Sequence, residues 1–287
     1  TFKFNNAGLS LAWSYHPHAF KVECKDKLSP YQILYNDEIF SKGIRKLLTG
    51  TFFSKKAFED LKSDKEKGSI RAVLRRVTGA QMVSNFRPVT ASALYKLFCD
   101  ENDTVWDMSS GWGGRLLGSI KAKVNYIGTD PNTKTMKGLK EMAKTFGNKA
   151  QSYELLTMGS EDYKPKKNSL DFAFTSPPYF DTERYSNEKT QSFLKFTNIE
   201  SWKDKFLRKT IDNVFRGLKQ NKFMALNVAD VKNHYDGFEE DTVAIAESVG
   251  FKLVDTFDYV LSSQQSDSKS EPIYIFKKWN THLQIKQ

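Results

Sequence analysis

From residue 104 onward the spacing of hydrophobic and polar positions keeps changing. Short apolar runs, the mark of buried strands, alternate with longer segments whose apolar residues recur every three or four positions, the mark of amphipathic helices. Strands are expected over 104–107, 125–130, 151–155, 170–174, 222–228, 252–260 and 272–278. Helices are expected over 114–121, 133–146, 199–218 and 241–249, the last stopping at Gly250. A further helix over 90–98 precedes the first strand, with Thr90 as a candidate N-cap. Repeated strand–helix units imply an α/β fold: a mostly parallel sheet with helices on both faces, closed here by a final strand pair.

Residues 1–80 follow a different pattern. Residues 28–48 place Ile33, Leu34, Ile39, Phe40, Ile44, Leu47 and Leu48 at roughly helical spacing. Residues 52–61 and 70–77 read as further helices, separated by a charged stretch over 62–67. The expected organisation is a small, mostly helical module over 1–80 and one α/β domain over 81–287.

Charge sharpens that division. The chain has 287 residues and a formal net charge of +10. Residues 1–80 hold 15 Lys and Arg against 8 Asp and Glu, so much of the excess lies in the first module. A basic balance favours a polyanionic partner such as nucleic acid, although any one lysine there also fits a solvated face. No apolar run approaches the ~20 residues that span a membrane. The two cysteines, Cys24 and Cys99, lie outside any metal-ligand spacing, so no metal is expected. A reducing, cytoplasmic setting fits this usage.

The candidate chemistry lies at strand ends. The first strand runs into Asp107, Ser109, Gly111, Trp112 and Gly113, a glycine-rich turn before a helix start. Such a turn lets a ligand approach the backbone and offers free amide donors to an anionic group. Asp130 ends the second strand, where an acid can accept from two ribose hydroxyls or cap the next helix. Glu161 and Asp162 follow the third strand, where an acid can accept from an adenine amino group or stand in solvent. Thr175-Ser176-Pro177-Pro178-Tyr179-Phe180 follows the fourth. Its prolines fix the backbone of a stiff turn. Ligands of open α/β sheets bind at the carboxyl ends of the strands, so all these residues can share one edge.

Asp107, Gly111 and Gly113, then Asp130, Asp162 and Ser176-Pro177-Pro178-Tyr179, together resemble the S-adenosylmethionine-dependent amino-group DNA methyltransferases, which modify cytosine N4 or adenine N6. The resemblance covers roughly residues 86–278. It implies a Rossmann-like methyltransferase sheet of seven strands with an antiparallel last strand. It implies S-adenosylmethionine as cofactor, DNA as partner, and a prokaryotic or phage cytoplasm. Asp107, Ser109 and the Gly111–Gly113 turn would hold the methionine part, Asp130 the ribose and Asp162 the adenine. Phe86 and Thr90 fall where the family often places another cofactor-contacting segment. The sequence departs from the family at Trp112, which stands in the glycine turn, and no large recognition domain follows the core. DNA recognition would then fall to residues 1–80 or to the segment after Phe180.

The chemistry of the turn follows from its atoms. An exocyclic amino group is a poor nucleophile because its lone pair is conjugated with the ring. The Ser176 hydroxyl and the Pro177 carbonyl can accept its two hydrogens and help localise that pair, preorganised by the prolines. The nitrogen would then attack the sulfonium methyl in line. A base in a duplex must be flipped out to reach such a turn. Tyr179 is expected to stack on it, with Phe180 either adding to the wall or buried in the core. The segment over 181–195, with Arg184, Tyr185, Lys189 and Lys195, either meets nucleic acid or forms a surface loop. The polar stretch over 262–271 invites the same two readings. Serine at the first motif position leans slightly toward cytosine N4. An RNA base amino-methyltransferase and an inactive nucleic-acid-binding protein of this fold are the alternatives.

Overall fold

A computed structural model describes residues 1–3, 5–25, 27–49, 78–231, 234–261 and 270–279. The helices expected over 52–61 and 70–77 and most of the 262–271 loop lie outside the described residues. Two compact units emerge: residues 1–16, 85–181 and 186–287 form the first, and residues 17–84 with 182–185 form the second.

In the first unit the chain makes α1 (Leu9–Ser14) and later enters the sheet. The second unit contains a 3-10 turn (Pro17–Lys21), β1 (Glu23–Cys24), α2 (Pro30–Leu34) and α3 (Asp37–Leu48). Its described part is thus mostly helical. One long helix was expected over 28–48, but the chain breaks at Tyr35, and Asn36 restarts it by accepting from the Ile39 amide at 3.0 Å. α2 begins with a capping box, in which Ser29 and Gln32 satisfy each other's backbone amides.

The elements of the first unit follow the expected alternation. They are α4 (Pro88–Phe98), β2 (Thr104–Asp107), α5 (Gly114–Ala122), β3 (Asn125–Thr129), α6 (Thr133–Phe146), β4 (Tyr153–Leu156) and β5 (Leu170–Thr175). After β6 (Glu183–Arg184), which pairs with β1 in the second unit, come α7 (Ser192–Lys195), α8 (Ile199–Trp202), a π-helical turn (Lys203–Arg208) and α9 (Lys209–Gly217). β7 (Leu218–Asn227), α10 (Phe238–Val249), β8 (Phe251–Val260) and β9 (Ser270–Lys278) complete it. The seven-stranded sheet has the order β4-β3-β2-β5-β7-β9-β8. Its first five strands are parallel, and β9 runs antiparallel between β7 and β8. This is the expected Rossmann-like sheet of seven strands, mostly parallel with the last one reversed.

Strand alternation distributes the core. Val105, Tyr126, Phe172, Phe174, Ala225 and Ile275 face the layer of α4, α5 and α6. Trp106, Ala173, Met224, Leu226 and Phe276 face Trp202, Phe206, Ile211 and Val214 on the other side.

Three local expectations are corrected. Thr90 is not an N-cap: α4 starts at Pro88, whose fixed φ suits the first helical position, and Arg87 is the cap. Asp130 does not cap α6: Asn132 does, accepting from the Lys134 and Thr135 amides at 3.1 and 3.2 Å. β7 begins at Leu218 rather than 222: Leu218 already pairs with Leu170, and an irregularity with Asn221 at φ 63° separates that pair from the ladder that starts at Phe223.

α4 and α5 cross closely because α5 carries glycine where they touch. A Cβ on Gly118 would lie 2.6 Å from that of Ala91, and one on Gly114 would overlap the Phe86 carbonyl oxygen. Gly114→Ala is expected to lower unfolding stability by about 1–3 kcal/mol through overpacking, checked by urea denaturation. No helix among the described residues is long and apolar enough to cross a membrane.

Candidate functional site

The carboxyl ends of β2, β3, β4 and β5 lie side by side, since these strands are parallel neighbours in the sheet. The centre of this edge is a buried polar knot. Asp107, fully buried at the end of β2, accepts from Arg115 Nε at 2.8 Å and from the Tyr126 hydroxyl at 2.7 Å through one oxygen. Its other oxygen accepts from the Thr175 hydroxyl at 2.9 Å and from the Ser109 amide at 3.3 Å. Four donors thus use the acceptor capacity of this carboxylate. Burial alone would disfavour the charge on Arg115, but the Asp107 carboxylate outweighs it and holds the guanidinium pKa up. Arg115 also donates to the Ser109 carbonyl.

The glycine turn is fixed from several sides. Gly111 and Gly113 take φ of 53° and 81°, a region that glycine enters at no steric cost. The Gly111 amide donates to Asp130 Oδ2 at 3.0 Å, and the Ser110 amide to the Thr129 carbonyl at 3.0 Å. Asn85 grips the turn twice: its amide donates to the Trp112 carbonyl at 3.1 Å and its carbonyl accepts from the Gly114 amide at 3.2 Å. Trp112 is buried, with its ring 5.9 Å from Trp13 and 5.8 Å from His16. Its place in the turn is therefore structural: it pins the turn to α1 and the residues after it.

Asp130 sits half-buried beside this turn and also accepts from the Asn132 amide at 2.9 Å. Burial pushes its pKa up to about 6, against the pull of those backbone hydrogen bonds.

Thr175 connects the glycine turn to the proline turn. It is the last residue of β5, donates to Asp107 and accepts from the Ser109 amide at 3.1 Å. Ser176 follows directly. It is partly exposed, and no hydrogen bond among the described residues engages its hydroxyl. Pro177 is buried. The Tyr179 ring is half-buried and meets Phe238 edge-on at 5.0 Å. Phe180 takes φ 50°, an uncommon conformation for a bulky residue, and its ring meets Trp202 at 6.0 Å. Phe180 is thus packed against the core beneath the turn.

After β4, Glu161 is buried and Asp162 is exposed. Asn213 holds the backbone there by donating to the Ser160 and Glu161 carbonyls at 3.2 and 3.1 Å. Lys195 Nζ donates to Glu161 Oε1 and, at 2.8 Å, to Asp162 Oδ2. Glu161 Oε2 is buried without a partner.

Of the residues singled out in the sequence, Asp107, Ser109, Gly111, Gly113, Asp130 and Ser176 converge on this edge. Tyr179 and Phe180 leave it in the turn, and Asp162 stands at its β4 end. Phe86 and Thr90 are buried. Phe86 stacks on Tyr259 at 4.6 Å and meets Phe174 edge-on, as a member of the core. Arg184 and Tyr185 belong to the second unit, where Tyr185 donates to Glu183. Sequence reasoning gave Thr175, Arg115, Tyr126 and Asn85 no role; Thr175, Tyr126 and Asn85 meet partners 68, 19 and 27 positions away in the chain. Among the described residues no cluster of His, Cys, Asp and Glu could hold a metal ion.

No family model matches the chain. No curated protein matches it in sequence either. Solved structures do match. A protein described as a possible exported protein from Bordetella parapertussis is 12% identical, with a TM-score of 0.52, over 96% of this chain and 97% of its own. A SAM-dependent methyltransferase from Methanosarcina mazei is 15% identical with a TM-score of 0.45, over 65% of this chain and 97% of its own. A TehB-like SAM-dependent methyltransferase from Corynebacterium glutamicum is 13% identical with a TM-score of 0.44, over 67% and 88%. At such identities the likeness concerns the fold.

Proposed function

We propose that this chain transfers a methyl group from S-adenosylmethionine to the exocyclic amino group of a flipped DNA base, cytosine N4 slightly ahead of adenine N6. The observation that carries the reading is that Thr175, the residue before Ser176, is tied to both Asp107 and Ser109. A glycine turn suited to a cofactor and a rigid turn suited to a base amino group are thereby held as one piece.

The residues fit the cofactor. Gly111 leaves the turn open to close approach, with no atom nearer than 3.7 Å to where a Cβ would stand, and Glu161 Oε2 is a buried acceptor lacking a donor. S-adenosylmethionine supplies an electrophilic methyl group when bound. Asp130 accepts from the ribose hydroxyls, and the acids after β4 accept from the adenine amino group. Asp107 is a positioning residue whose charge is spent on Arg115 and Tyr126. Ser176 Oγ and the Pro177 carbonyl accept from the target amino group, and the Tyr179 ring stacks on the base. The basic residues 1–80, together with Arg184 and Tyr185, carry the contact with the polyanion.

Nucleosides from duplex DNA incubated with the protein and S-adenosylmethionine are expected to contain N4-methylcytosine or N6-methyladenine by mass analysis. Unmodified DNA, with methylated structured RNA in a parallel reaction, moves the substrate to RNA. Absence of methylation on both nucleic acids overturns the reading.

Asp130 gives this reading a pH signature. Its folded-state pKa lies above the ordinary value, so its stabilising contribution is complete below about pH 4 and is lost as pH rises through about 6. Ribose binding runs the other way, because it needs the ionised carboxylate. Affinity for S-adenosylhomocysteine, measured by calorimetry, is expected to weaken up to about tenfold per pH unit below 6. Asp130→Asn should remove this dependence.

A further inference from the structure

The segment that leaves the proline turn returns to the sheet edge at two of its strands. Glu188 accepts from the Thr133 amide at 3.2 Å and from the Thr133 hydroxyl at 3.0 Å, just past Asp130. The Thr190 hydroxyl donates to the Pro131 carbonyl at 3.3 Å. Lys195 then reaches Glu161 and Asp162 after β4. Residues 188–195 are therefore fastened at the ends of β3 and β4, alongside the acids proposed for the ribose and the adenine.

Two buried polar atoms along this strap have no partner: Glu161 Oε2, and Nε2 of Gln191, one helical turn before Lys195. A buried acceptor and a buried donor left unmade each cost about 1–3 kcal/mol. A ligand presenting both kinds of group relieves that cost.

We infer that Lys195 is a positioning residue that couples occupancy of the cofactor site to closure of the strap over 188–195. This rests on the cofactor reading above. Its ammonium holds Glu161 by one oxygen and leaves the other for a ligand donor.

The test uses the whole protein, with S-adenosylhomocysteine as the probe. Calorimetry gives its affinity, and limited proteolysis within 186–195 gives the state of the strap. In the unaltered protein the probe is expected to slow cleavage about tenfold. Lys195→Met is expected to weaken the probe about ten- to hundredfold, the range for a hydrogen bond to a charged group, and to abolish the protection. Lys195→Arg should keep most of both, and unchanged thermal melting of the free variants excludes misfolding. Probe binding with unchanged affinity in Lys195→Met, or protection that persists there, overturns the coupling alone. Absence of binding by the unaltered protein overturns the cofactor reading and the coupling with it.

Discussion

Ser176→Ala is expected to lower methyl transfer to duplex DNA by about 10²- to 10³-fold, the range for removing one preorganised hydrogen-bonding group from a reacting centre. The reasoning starts from rigidity. Ser176 follows Thr175, which is locked to Asp107 and Ser109, and precedes a buried Pro177. Its hydroxyl is held in place but not consumed by the protein. Alanine removes the acceptor and leaves this framework in place, so affinity for S-adenosylhomocysteine should stay within about twofold, well inside the effect of one net hydrogen bond. Tyr179→Ala should lower transfer less, by roughly 5- to 150-fold, the equivalent of about 1–3 kcal/mol of base stacking. Tritium transfer from labelled S-adenosylmethionine measures both. Undiminished transfer in both variants refutes the assignment of the turn.

The second large effect is on folding. Asp107→Ala is expected to destabilise the first unit by about 3–5 kcal/mol, because it strands a buried guanidinium. Arg115 is 5% exposed and has Asp107 as its carboxylate partner, and the Tyr126 hydroxyl and the Ser109 amide lose an acceptor at the same time. The double variant Asp107→Leu/Arg115→Met should recover most of the loss, since a buried ion pair exchanged for apolar side chains of similar volume is often neutral. Urea denaturation of the single and double variants checks this. If the double variant is no more stable than Asp107→Ala, the stranded charge is not the cause.

The sheet was legible because each strand over 104–107, 125–130 and 170–174 is a short apolar run bounded by polar or turn residues. The start of β7 was not, because Lys219, Gln220, Asn221 and Lys222 are polar and lie in an irregularity between the Leu218 pair and the ladder that starts at Phe223. α1 was missed because six residues are too few to show a period. The start of α4 was misplaced by two residues, and the cap of α6 was placed at Asp130 instead of Asn132, because several capping residues stand close together and only the folded backbone chooses among them. The site divided along the same line. Residues in motifs, such as Gly111, Asp130 and Ser176, can be found by local spacing. Thr175 and Arg115 matter through Asp107, one of them from 68 positions away in the chain, and no local pattern encodes that meeting. The same blindness concealed that Phe86 belongs to the core and that Glu161, not Asp162, is the buried acid after β4.

β2 and β5 are neighbouring strands, paired at Val105 with Phe172 and at Trp106 with Ala173. The gap between the two turns they carry is therefore a lattice constant of the sheet, ~4.8 Å between strands, and not the sum of two loop conformations. Loops can drift independently, but adjacent parallel strands in the middle of a sheet cannot separate without breaking their ladder. Partial melting at the periphery should thus leave the reaction distance untouched, and activity on heating should persist as a plateau until the central ladder itself gives way.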